Sequence, residues 1–191
     1  MNSLYDNKYS IKNMLMIGIP TLLFLPIVLT IALLSGSLLF LDYVHVFSGA
    51  SWTGMDLFMG LFFSFVMKGL DNSERVEVSK RLTPMMLFFM PSISAVTITA
   101  GIFLAIKEGI FILSSPIIIA VLVIAAILTI QGLLIFLPNE LRVYFEIRRG
   151  SKDKEKIIRL TMFNLKLAFS QVIFQIAIIL LMAHLATGLP L

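Results

Sequence analysis

The chain has 191 residues, of which 59% are hydrophobic and only 14% charged, with no cysteine and a formal net charge of +4. Soluble domains are about half apolar and about a quarter charged, so a mean hydropathy of +0.99 excludes a water-soluble fold and makes lipid the solvent. The missing cysteine excludes disulfides, thiolate metal sites, iron–sulfur ligation and covalent c-type heme. The positive charge is read as membrane topology and not as nucleic-acid affinity.

A helix needs about 20 apolar residues to cross the hydrocarbon core, and five segments qualify: 14–34, 38–66, 85–106, about 111–137, and 158–185. The first follows Lys8 and Lys12 and precedes Ser35-Gly36-Ser37. It is longer than the roughly 7–15 residues of a signal-peptide core, so it is expected to be an uncleaved helix. Gly36 suits its C-terminus and Ser37 the next N-cap. The second segment ends by Gly69, and a polar loop is expected over 71–81. The third begins after Pro84, is kinked by Pro91, and carries Ser94, Thr97 and Gly101 on one face. The fourth has Pro116 in its first turns and a helical extension over 139–149, stopped by Gly150-Ser151. After a charged turn over 152–156, the fifth carries a polar stripe of Asn164, Gln171 and Gln175. These amides, and Gln131 in the fourth, are expected to make interhelical hydrogen bonds.

All of the fifteen Lys and Arg residues except Lys107 and Lys166 fall into three clusters. These are Lys8/Lys12, then Lys68/Arg75/Lys80/Arg81, then Arg142/Arg148/Arg149/Lys152/Lys154/Lys156/Arg159. Basic residues flanking spans stay cytoplasmic. The expected fold is therefore all-α: one transmembrane domain over 1–191, five helices in the plasma membrane, N-terminus cytoplasmic and C-terminus extracytoplasmic. Lys166, about two turns inside the fifth span, can snorkel to the surface.

Polar residues inside apolar spans are costly and point to function. In the second span, His45, Trp52 and Asp56 share a narrow stripe at about 100° per residue, flanked by Asp42, Ser48 and Gly49. Asp42 stands three residues before His45, within reach on a helix, where a carboxylate can fix the imidazole tautomer. At about 1.5 Å per residue, Asp56 lies about 18 Å and His45 about 34 Å from Lys68, against a core of about 30 Å. Asp56 is thus near mid-membrane and is expected to be protonated, hydrogen-bonded or paired.

His45, six residues, then Trp52-Thr53-Gly54 resembles the His-x6-Trp-x-Gly signature of a loose superfamily of small membrane proteins. It includes copper-resistance D-type proteins, HemJ-type protoporphyrinogen oxidases and uncharacterised members. The resemblance covers about one span. It implies heme b with His45 as axial ligand and Trp52 and Gly54 shaping the pocket. The oxidase activity is not carried over, because the third span has no Lys before Lys107, whereas the oxidases carry a functional one deeper. His184, in the same leaflet, is the candidate second ligand, although helical phase sets it opposite the polar stripe of the fifth span.

The leading expectation is a heme-b-binding redox or heme-handling membrane protein, with Asp42 orienting His45 and Asp56 as a buried hydrogen-bonding or proton-accepting group. One alternative is a non-catalytic accessory subunit of a respiratory-type complex, meeting membrane-protein partners or a second copy of itself. Another is a small transporter or channel using Asp56. The chain has no phosphate loop, no zinc His-Glu-x-x-His helix and no nucleophile elbow. It also lacks the inverted repeats usual in secondary transporters.

Overall fold

The computed structural model describes residues 11–150 and 152–188. Lys8, Ser151 and the side chain of Lys12 lie outside the described residues. The elements are α1 (Ile11–Ser35), α2 (Leu38–Leu57), a π-helical segment π1 (Phe58–Phe63), α3 (Ser64–Gly69), α4 (Asn72–Lys107), α5 (Pro116–Ile130), π2 (Gln131–Phe136), α6 (Leu137–Arg148) and α7 (Lys154–Thr187). Runs α2–π1–α3 and α5–π2–α6 are continuous, so among the described residues five helices are long and apolar enough to cross a membrane: Gly18–Ser35, Leu38–Gly69, Asn72–Lys107, Pro116–Arg148 and Lys154–Thr187. Their outward faces carry large apolar side chains such as Phe24, Phe47, Phe65 and Leu134, a surface suited to lipid rather than water.

The helix ends follow local chemistry. Gly36 takes φ +67°, which costs glycine nothing, and the Ser37 hydroxyl accepts the Phe40 N–H at 3.2 Å. The segment 71–81 corrects the expectation of a polar loop: it is the first part of α4, which runs through both Pro84 and Pro91 without a break. The reason is a capping box. Asp71 Oδ1 accepts the N–H groups of Ser73 (2.8 Å) and Glu74 (2.9 Å), and Glu74 Oε2 accepts the Asp71 N–H at 3.0 Å. The fourth span also differs, starting at Pro116 and not near 111. Ser115, before proline, is held extended at ψ 123°, because the proline ring disfavours the helical region there. The extension of the fourth span runs to Arg148, and Gly150 at φ +87° follows it.

Asp71 carries a pH-dependent prediction. The Glu74 N–H and the Ser73 hydroxyl hold its carboxyl below the ordinary carboxylate range. A depressed folded-state value means the cap is fully in place above the unfolded carboxylate range, about pH 4, and is lost as pH falls through the lower folded value. Amide exchange over 73–75 is therefore expected to accelerate in Asp71→Ala at neutral pH, and in the wild type only in acid. Equal protection in the variant would show that packing alone holds this helix start.

Helix α4 packs against α1, α2, α6 and α7, while α7 also meets α2, π1 and α5. The main core lies between α1, α2 and α4, around Leu41, Trp52, Met90, Ile93 and Ala100. Basic groups collect at one end. Arg75 donates to the carbonyls of Leu70 (2.9 Å) and Lys68 (2.8 Å), and Lys156 Nζ meets Glu146 Oε2 at 2.9 Å. Proline 138 lies just after π2. A proline ring clashes with the carbonyl four residues earlier, here Leu134, which accounts for widening the helix at that point.

Candidate functional site

The buried face of the second span reads Leu41, Val44, Ser48, Trp52, Asp56, spaced three and four residues apart as one helix face requires. Asp56 is 0% exposed. Gln175 of α7 donates its Nε2 to Asp56 Oδ2 at 2.8 Å, so the expected polar stripe of the fifth span does make an interhelical hydrogen bond. Trp52, one turn earlier, brings its indole against the same carboxyl. Asp56 Oδ1 has no hydrogen-bond partner, nor has Gln175 Oε1.

A second buried carboxyl was missed by sequence reasoning. Glu140 of α6 is 6% exposed, and Asn164 Nδ2 donates to its Oε1 at 2.8 Å. Thr83 of α4 brings its hydroxyl to the same carboxyl. Glu140 Oε2 and Asn164 Oδ1 are buried without partners. A signal existed in the sequence. Glu140 stands between about two and three turns before Arg148, and Asn164 between about two and three turns after Lys154. An antiparallel pair puts the two at one depth, but the segment 139–149 reads as a solvated extension.

The two carboxyls face one cavity, which Asn164, Thr83 and Thr161 also line. It has about 10 Å³ of room for a water's centre, about enough for one water. A second cavity, about 20 Å³, is lined by Trp52, Ser94 and Gln171. Met90 and Phe136 line both cavities and stand between them. Phe136 closes π2, and π segments inside helices are frequent at functional sites. The expected hydrogen bond of Gln131 is not made: its Oε1 is buried and unpartnered.

His45 lies on the flank of this face, half-buried. Its Nδ1 is 2.9 Å from the Thr97 carbonyl. A carbonyl only accepts, so Nδ1 carries the hydrogen. The orienting role expected of Asp42, itself half-buried, falls to Thr97. Gly54 does not shape a pocket: it is exposed, and a Cβ there would meet nothing within 4 Å. The reason is phase, since Gly54 is two residues from both Trp52 and Asp56 and so points away from them. His184 sits in the last turn of α7, half-buried, its carbonyl accepting the Gly188 N–H at 2.8 Å. Among the described residues, no group of three or more His, Asp or Glu side chains is placed to hold a metal ion.

The surroundings of His45 meet one requirement of a heme b ligand and miss another. The donor fits: with Nδ1–H given to a backbone carbonyl, the Nε2 lone pair is left for a metal. The space does not. A Cβ on Gly101 would lie 2.6 Å from His45 Cε1, so the ring edge is packed against α4. The two cavities described above are of single-water size and border Trp52 and Asp56 rather than His45.

The architecture defines a multi-pass helical membrane protein in which three carboxyls are buried among the described residues, Glu146 paired with Lys156 and Asp56 and Glu140 held by amides. No family model, curated protein or solved structure matches the chain.

Proposed function

We propose that the protein binds and passes a proton or small cation within the membrane, with Asp56 as the central group. The observation that carries this reading is a fully buried mid-span carboxyl with one amide donor, whose second oxygen is unpartnered. A carboxyl in that setting is costly, and such groups mark ion paths and proton relays in membrane proteins. Polar groups continue in both directions. Toward the basic end stand Glu140, Asn164 and the Ser79–Thr161 hydroxyl pair at 3.1 Å. In the other direction stand Trp52 and Ser94. Met90 and Phe136 form an apolar constriction between the two cavities, of the kind that gates by excluding water. In this reading the basic end is cytoplasmic in the plasma membrane, the N-terminus is inside and the C-terminus outside, because Lys and Arg flanking spans are retained there. The test is proton and sodium flux in liposomes holding the purified protein, with Asp56→Asn as the decisive variant.

A second reading keeps heme b at His45. The hydrogen bond from Nδ1 to Thr97, which leaves Nε2 free, favours it. When bound, heme would supply electron transfer. For the chain to take it, α2 must separate from Gly101. Visible spectra of protein produced with ample heme, oxidised and reduced, decide the matter. A Soret band lost in His45→Ala supports this reading, and a colourless wild type rejects it.

A further inference from the structure

We infer that the cavity between Asp56, Glu140 and Asn164 is a binding site for one monovalent cation, either a proton carried on an enclosed water or a sodium ion. The inference rests on the reading of Asp56 above and adds the ligands and the class of occupant. Three residues lining the cavity each carry a buried unpartnered atom: Asp56 Oδ1, Glu140 Oε2 and Asn164 Oδ1. All three are oxygens, on side chains 0%, 6% and 2% exposed.

The hydroxyls do not change the balance. Ser79 gives its hydrogen to the Arg75 carbonyl at 2.8 Å. Thr161, 3.1 Å from Ser79 Oγ, therefore donates to Ser79. Thr83 brings its hydroxyl toward the Glu140 carboxyl, whose Oε1 takes the Asn164 amide. Buried acceptors left without a partner are expensive in a low-dielectric interior. What relieves them is a donor or a positive charge, and the room admits one particle of water size. Oxygen-only ligation suits a hard cation.

The charges around the site are few. The second span brings only Asp56 to the cavity and the fourth only Glu140. The third and fifth bring Thr83, Thr161 and Asn164, which do not titrate. The nearest ion pair along α6 is Glu146 with Lys156, and Arg142 on that helix donates to Asn139 at 3.2 Å. Asp56 and Glu140 are thus the titratable side chains among those lining the cavity.

The full chain in detergent, wild type beside Glu140→Gln, Asn164→Ser and Asp56→Asn, is read by infrared spectroscopy of the protonated-carboxyl band and by thermal unfolding. Sodium chloride is compared with choline chloride at equal ionic strength across a pH series. If the occupant is sodium, it raises the wild-type unfolding temperature and diminishes the protonated-carboxyl band where choline does neither. Glu140→Gln and Asp56→Asn then lose the response, and Asn164→Ser weakens it by about tenfold or more in sodium concentration. If the occupant is a proton, sodium does nothing, and neutralising either carboxyl moves the titration of the other by about one pH unit or more, the mark of a coupled pair. No sodium response together with independent titration of the two carboxyls overturns the site. Asn164→Ser retains both carboxyls, so it serves if a carboxyl variant fails to fold. A sodium response or coupled titration without flux would keep the site and reject the transport reading. Flux lost in Asp56→Asn but unchanged in Glu140→Gln, with no coupling, would do the reverse.

Discussion

Liposomes carrying Asp56→Asn are expected to show the flux of empty vesicles, while the variant protein remains folded. Asparagine has nearly the volume of aspartate and keeps an oxygen for the Gln175 amide, which now sits 2.8 Å from Asp56 Oδ2. It removes the charge and one of the two oxygens of a carboxyl that lines the cavity. Hydrogen bonds to charged groups contribute about 1.5–3 kcal/mol, so affinity for a cation should fall roughly 10- to 100-fold. Asp42→Asn is the matched control, since Asp42 lies on the same helix and borders neither cavity. Wild-type flux in Asp56→Asn would sink the proposal. Loss of flux in both variants would point to surface charge instead.

The second large effect is expected at Gly60. A Cβ added there would lie 2.5 Å from the Phe169 nitrogen and 2.6 Å from its Cα. These are backbone atoms of α7 and cannot turn aside, so π1 and α7 must separate. Overpacking typically costs about 1–3 kcal/mol, a sizeable share of a total stability of about 5–15 kcal/mol. Gly60→Ala should therefore unfold several degrees below the wild type, and Gly60→Leu should yield little folded protein. The separation would also strain the Asp56–Gln175 bond between the same two spans. Two other glycines calibrate the result. Gly18 would press on the Phe88 ring, a side chain that can move, and Gly54 opens on free space. Gly54→Ala should be neutral or gain about 0.5–1 kcal/mol from helix propensity. Equal thermal stability of Gly60→Ala and Gly54→Ala would show that the two spans do not approach this closely.

Both predictions turn on residues that were legible to different degrees. Asp56 stood out because a carboxyl in an apolar run is conspicuous. Trp52 followed from the helical period, and the amides of the fifth span from the same argument. Glu140 did not stand out. It lies beside Asn139, Arg142 and a basic terminus, where a carboxylate ordinarily faces water. His45 was legible as a polar group but not as a helix contact, because the Thr97 carbonyl that takes its hydrogen belongs to backbone, which no side-chain pattern reveals. The 71–81 segment was misread because its polar composition outweighed the Asp71–Glu74 capping box, a local signal that was present.

The sequence by itself determined that the chain forms five long apolar helices, about where they lie, and that basic residues cluster at their ends. These follow from hydropathy, length and charge, which act along the chain and need no knowledge of neighbours. The tertiary structure alone decided which helices touch, and so which polar atoms meet. Asp56 and Gln175 are 119 positions apart, and Asn164 and Glu140 are 24 apart. Helix order in lipid is set by close packing of surfaces such as Gly60 on Phe169 and Gly101 on His45. Every outer face is equally apolar, so no single-chain pattern distinguishes one neighbour from another.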